Sequence, residues 1–210
     1  MHQGQQAKLT EVVPATSVRE GRLVYPGIRV VLSTFSAVEL SFVSTAKPEE
    51  LMTREQANED AIRLTLRVPA SVERAYAVFT EEFASWYPSE YTWSQDVLET
   101  IGIEGREGGR CFERGPHGFW ADWGRVLVWD PPHRLVFSWQ ISPGREPVPD
   151  PEKASEVELR FHEEGPQSTR VEFEHRGFSR HGEGAEGYLK ALRSEQGWPY
   201  ILDRYAVAFG

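Results

Sequence analysis

An α+β fold, an antiparallel sheet wrapped on a C-terminal helix, is predicted by three observations. The stretch 123–139, WGRVLVWDPPHRLVFSW, reads as a β-hairpin. Strand-like runs separated by Gly/Pro-rich turns recur at even spacing from 97 to 176, the pattern of an antiparallel meander. The chain ends on a helical apolar stripe opened by Gly197-Trp198-Pro199. A sheet with one apolar face and a helix with one apolar stripe bury them against each other, which is a layered α+β architecture.

The size suits one domain with an appendage: 210 residues, 40% of them hydrophobic, with seven Trp to fill a core. The formal net charge is −9. Residues 1–51 carry five acids and five bases, so the whole imbalance lies in 52–210. An acidic domain repels phosphate backbones, which argues against nucleic acid and anionic membranes as partners. Cys111 is the only cysteine; it forms no internal disulfide, and a reducing, cytoplasmic setting is expected. No apolar run reaches the ~20 residues of a membrane helix.

Residues 1–27 show no clear period. The run 28–43, IRVVLSTFSAVELSFV, is apolar and β-branched and reads as one or two strands. A signal-like reading rests on Arg19, Arg22 and Arg29 ahead of it and Ser44-Thr45-Ala46 behind. Its distance from Met1 and the interrupting Glu39 count against that. A third reading makes 1–51 an upstream extension of low functional relevance, since Met52 is a normal beginning for a domain whose first strand is Ala61–Val68.

That strand alternates apolar and polar residues, the period of a half-buried strand. Ser71 is a good N-cap, and Val72, Ala75, Tyr76, Phe79 and Phe83 then follow helical spacing. A second short helical turn over 84–87 is stopped by Pro88. Strands come next at 97–103 and 110–114, then a turn at Gly115-Pro116-His117-Gly118, then the hairpin. Proline cannot donate to a ladder, so Pro131-Pro132 marks the hairpin turn. Strict alternation puts Trp123, Arg125, Leu127 and Trp129 on one face, and Leu135, Phe137, Trp139 and Ile141 on one face of the returning strand. A Pro-rich loop covers 143–151. The strand 156–163 points Val157, Leu159 and Phe161 inward, and 169–176 puts Thr169, Val171, Phe173 and His175 on one face. Pro199 sits at a helix's first position, where its missing N–H costs nothing; Trp198, Ile201, Leu202, Tyr205 and Phe209 form the stripe of a helix of about 18 Å.

Taken together, these pieces resemble the START/polyketide-cyclase-like helix-grip superfamily (SRPBCC). Within it they are similar to the family related to the C-terminal domain of the activator of the heat-shock chaperone ATPase. The matching pieces are VPASVERAYAVFT, GGRCFE, GRVLVWDPPHRLVFSW, RVEFEHRGF and GWPYILDRYAVAF. The resemblance implies a helix-grip fold: a curved antiparallel sheet of about seven strands around a long C-terminal helix, with two short helices after the first strand and a cavity between sheet and helix. It implies a helix-grip domain at 58–210 and leaves 1–57 as a poorly defined N-terminal extension. Superfamily members include carriers, cyclases and proteins of other roles, so fold likeness alone names no activity.

The expected ligand-binding set is Trp93, Trp139, Phe173 and Trp198 as an aromatic wall, with His175 and Arg125 as orienting polar groups. His175 shares phase with Val171 and Phe173, so it is either a pocket contact or a satisfied core residue. Arg125 either snorkels to water or is a cavity cation for a carboxylate or enolate. Cys111, His117 and Asp122 lie close in sequence but lack the ligand number and spacing of a metal site, and Glu82, Glu90 and Asp96 read as a solvated face. There is no phosphate loop, no G-x-S-x-G and no H-E-x-x-H. No metal, no cofactor and no catalytic residue is assigned. The first functional expectation is binding of a small apolar or aromatic molecule. The alternatives are a chaperone-ATPase-activator-like interaction module, with a homodimer or chaperone contact, and a cyclase or hydratase using His175 or a cavity carboxylate as general base.

Overall fold

The computed structural model describes residues 28–30, 42–44 and 60–210. The chain divides into two units, Met1–Arg54 and Glu55–Gly210. In the first, β1 (Ile28–Val30) and β2 (Phe42–Ser44) pair antiparallel, Ile28 opposite Ser44. The remaining expectations for 1–57 lie outside the described residues.

The second unit is a seven-stranded antiparallel sheet of order β3-β9-β8-β7-β6-β5-β4, built from β3 (Ala61–Val68), β4 (Thr100–Ile103), β5 (Arg110–Arg114), β6 (Trp120–Asp130), β7 (Arg134–Trp139), β8 (Ser155–Gly165) and β9 (Ser168–Arg176). It curls into a half-barrel around the C-terminal helix, the helix-grip arrangement. Two short helices, α1 (Val72–Thr80) and α2 (Phe83–Trp86), come after β3. Ser71 caps α1 by accepting the Arg74 N–H at 3.3 Å. The buried face of α1, including Tyr76 and Phe79, packs on Phe161 of β8, and the Trp86 indole donates to the Val78 carbonyl at 2.8 Å. Val157, Leu159, Phe161, Val171 and Phe173 are all buried, as period-2 alternation requires. No helix among the described residues is long and apolar enough to cross a membrane.

The C-terminal helix is bent into two segments, α3 (Ala185–Arg193) and α4 (Trp198–Val207). The apolar stripe marked only the second. Gly197 makes the bend: a Cβ there would lie 2.2 Å from the Leu192 carbonyl oxygen, so only glycine lets α4 start so close to the end of α3. Tyr205 then anchors α4 by donating its hydroxyl to the Ala75 carbonyl at 2.8 Å.

Strand β6 departs from strict alternation. Its pairing with β5 shifts between Cys111 and Phe112, and its pairing with β7 shifts between Val126 and Val128. Each bulge reverses the phase of the residues beyond it. Trp123, Val126 and Trp129 therefore share the covered side, Trp129 meeting Tyr76 at 5.4 Å. Arg125 and Leu127 turn away from it, Leu127 being 43% exposed. The expectation that Arg125 and Leu127 share a face with Trp123 and Trp129 is thus corrected.

Candidate functional site

A cavity of about 390 Å³ lies between the concave side of β4–β7 and the α3–α4 segments. Its wall begins with the hairpin. Gly124 pairs with Trp139, which brings the Trp123 and Trp139 rings to 5.9 Å. Phe83 at the start of α2 stacks on both Trp123 (5.5 Å) and Tyr87 (4.9 Å). From α3, Tyr188 reaches over the sheet and its hydroxyl accepts the Trp139 indole N–H at 2.7 Å. Burial pushes the Tyr188 phenol up to about 12, against the opposing hydrogen bond from Trp139. Burial also raises Tyr87, with Tyr188 adding to the effect and Arg145 opposing it.

The rim is joined by hydrogen bonds between three segments. The Trp93 indole donates to the Arg145 carbonyl at 2.7 Å, the Arg145 guanidinium donates to the Tyr91 carbonyl at 2.9 Å, and the Tyr91 hydroxyl donates to the Gln196 carbonyl at 2.7 Å. Glu113 contributes the carboxyl group of the wall. It is 1% exposed, and its two oxygens accept the backbone N–H groups of Trp93 (3.0 Å) and Ser94 (2.7 Å).

Of the residues expected from sequence, Trp93 and Trp139 line this cavity. Trp198, Phe173 and His175 are packed together behind the Trp139 wall. Trp198 sits 5.2 Å from Trp139 and 4.4 Å from Phe173, and its indole N–H donates to Nδ1 of His175 at 2.8 Å. A ring nitrogen that accepts carries no proton, so neutral His175 bears its proton on Nε2 and donates it to Ser155 Oγ at 2.7 Å. The Ser155 hydroxyl in turn donates to Nε2 of His181 at 2.7 Å. Both nitrogens of His175 are committed, the residue is 0% exposed, and burial, with His181 adding, holds its pKa well below the ordinary histidine value. Arg125 lies outside the cavity: its guanidinium pairs with Asp122 at 2.6 Å and donates to the Gly124 carbonyl at 2.9 Å, in a separate hollow beside Trp120 and Gln140.

Sequence reasoning missed Tyr87, Glu113 and Tyr188. Two signals were available. Glu113 shares phase with the buried Cys111 on β5, so a carboxyl faces the covered side. Tyr188 and Leu192 stand four apart in AEGYLKALR, a helical spacing. Among the described residues no three His, Cys, Asp or Glu side chains group as metal ligands.

The family of Activator of Hsp90 ATPase homolog 1-like protein matches residues 69–210. No curated protein matches the sequence. Among solved structures, the anthrahydroquino-gamma-pyrone synthase Txn09, solved as a complex, is 38% identical, the match covering 71% of this chain and 97% of that one with a TM-score of 0.53. The self-sacrificing resistance protein CalC from Micromonospora echinospora is 26% identical over 72% of this chain and 96% of its own, with a TM-score of 0.51. Protein Ms6760 from Mycobacterium smegmatis, 16% identical over 73% and 93%, with a TM-score of 0.50, shares the fold alone.

Proposed function

Because the chain belongs to the Activator of Hsp90 ATPase homolog 1-like family, we propose that it uses the grip cavity of that fold to bind a small planar apolar or aromatic molecule. The observation that carries this reading is the cavity itself: about 390 Å³, walled by Trp93, Trp123, Trp139 and Tyr87, with few polar groups. That volume and that mixture are those of small-molecule sites. The 38% identical synthase adds support, since its name places an anthracene-type skeleton, planar and three rings wide, in its reaction. Phe173, His175 and Trp198 serve this site as the layer that holds Trp139 in place.

The test is a titration of the full chain with planar tricyclic aromatics, read by quenching of tryptophan fluorescence and by native mass spectrometry. One saturable site per chain, weakened by Trp139→Ala, is expected. Absence of saturable binding overturns the reading and leaves the interaction module to which the family's description points.

A cyclase reading has one specific observation in its favour: the buried Glu113 carboxyl in the cavity wall, where His175 has no free nitrogen to act as base. A carboxylate there removes the proton of a bound phenol as its oxygen adds to a ketone carbon. The new carbon–oxygen bond closes a ring and the phenol proton passes to the former ketone oxygen; that hydroxyl then leaves as water with a proton from the CH₂ between the two carbonyls, whose C–H electron pair becomes the ring's carbon–carbon double bond. A 1-(2-hydroxyphenyl)-1,3-diketone, which closes in this way to a gamma-pyrone, is the substrate to try. Turnover lost in Glu113→Gln with binding retained supports this reading, and turnover equal to the uncatalysed rate removes it.

A further inference from the structure

Besides its tyrosines, the cavity wall holds two ionisable side chains, Glu113 and Arg145. Glu113 is buried, and its two oxygens are taken by the N–H groups of Trp93 and Ser94. Arg145 is the opposite case. It is exposed, and it stands on the rim in the loop between β7 and β8. Of the five N–H groups of its guanidinium, one is used, in the bond to the Tyr91 carbonyl at 2.9 Å. Among the described residues it makes no ion pair, whereas Arg125, the cation that strict alternation assigns to this cavity, is paired with Asp122 in the separate hollow.

The place of Arg145 is imposed by its surroundings. Its backbone takes φ +63°, in the left-handed region that L side chains rarely adopt. Three bonds hold it there. Its N–H donates to the Ser142 carbonyl at 2.8 Å, its carbonyl accepts the Trp93 indole N–H at 2.7 Å, and its guanidinium is tied to Tyr91. Such a conformation persists only where neighbours over-determine it, and residues of this kind cluster at ligand clamps. The charge is felt inside the cavity: it opposes the burial-driven rise of Tyr87, beyond α2, and of Tyr188 on α3, two phenols that line the cavity from different elements.

Resting on the reading that the cavity takes a small planar molecule, we propose that Arg145 selects aromatic acids, the rings entering among the tryptophans and a carboxylate staying at the rim on the guanidinium. A guanidinium offers paired N–H groups that match the two oxygens of a carboxylate. No other residue of the wall is a cation, so a carboxylate that went deeper would lose its water without gaining a counter-charge. The guest is therefore oriented, apolar end first. The gain is modest because the rim is exposed.

Fluorene-2-carboxylate and fluorene-2-carboxamide provide the test, because they are planar tricycles of the same outline that differ by one charge. Isothermal titration calorimetry on the full chain gives both affinities, at low and at physiological ionic strength. The acid is expected to bind about fivefold more tightly at low ionic strength, and by a smaller margin at physiological ionic strength. In Arg145→Gln that preference is expected to vanish while carboxamide affinity stays unchanged. Arg145→Lys, which keeps the charge, is expected to retain most of it. Equal binding of the two ligands, or a preference that salt does not weaken, overturns the charge selection and leaves the cavity reading standing. That measurement on the unaltered chain carries the test alone if the variants fail to fold. An equal loss of both affinities in Arg145→Gln makes the guanidinium a strut of the rim and overturns the proposal. A preference that survives intact in Arg145→Gln overturns the assignment to this residue. Binding of neither ligand overturns both readings.

Discussion

The indole N–H of Trp198, on the C-terminal helix, donates to Nδ1 of His175, on strand β9, across 2.8 Å in a fully buried setting. This bond fixes both residues at once: it orients the Trp198 ring against Trp139 and Phe173, and it makes His175 a donor toward Ser155. His175 thus supports the cavity from behind.

His175→Ala is expected to lower unfolding free energy by about 2–4 kcal/mol, since it opens a gap and strands the Trp198 N–H and the Ser155 hydroxyl. Affinity for a planar aromatic ligand should change less than about threefold. Urea denaturation and a dye titration on the same preparation check both halves. A stable variant with lost binding would make His175 a ligand contact instead.

Stability should fall in mild acid. The folded-state pKa of His175 lies well below the ordinary value, and that of His181 is also lowered, by burial against the opposing charge of Asp60. The unfolded chain takes up protons at these rings below about pH 6.5, while the folded chain does not. The contribution is therefore fully present above about pH 6.5 and is lost as pH falls below it toward the folded values, at up to about 1.4 kcal/mol per pH unit for His175. Urea midpoints at pH 7.5, 6.5 and 5.5 should show the loss only in the last step. A His175→Gln variant should show a shallower dependence.

Gly197→Ala should cost about 2–4 kcal/mol, because its Cβ would collide with backbone at Leu192 and force α3 away from α4. The bend carries Leu192, Ser194 and Gln196 of the cavity wall, so dye binding should weaken along with the melting temperature. Normal binding in a destabilised variant would separate the bend from the site.

A chain beginning at Met52 should melt cooperatively, within a few degrees of the full protein. The family match begins at residue 69, and the seven-stranded sheet lies wholly in the Glu55–Gly210 unit. Loss of cooperative melting would assign a structural role to the N-terminal unit.

Much of this fold is legible in the sequence because its signals are local. Alternation in 61–68 and 169–176, the Ser71 cap and the Pro131-Pro132 turn each depend on neighbours a few residues away. The features that escaped depend on distant partners. The bulges of β6 are set by its pairing with β5 and β7, and they turn Arg125 out to Asp122. Helix α3 is prefaced by Gly177, Gly182 and Gly184, all at positive φ, and its Gly/Glu-rich start masks the Tyr188–Leu192 stripe. For His175 the phase was readable, but its role comes from Ser155 on β8 and Trp198 on α4, 20 and 23 residues away in sequence.

The chain of bonds from Trp198 through His175 and Ser155 to His181 runs in one direction only. Its first member is an indole, which has no proton to surrender at physiological pH. As a conduit it is therefore dead-ended at Trp198: no proton can enter this chain from that end and travel along it to His181. The same polarity sets both tautomers, so nitrogen NMR should find the proton on Nε2 of His175 and on Nδ1 of His181, and ligand binding should leave both where they are.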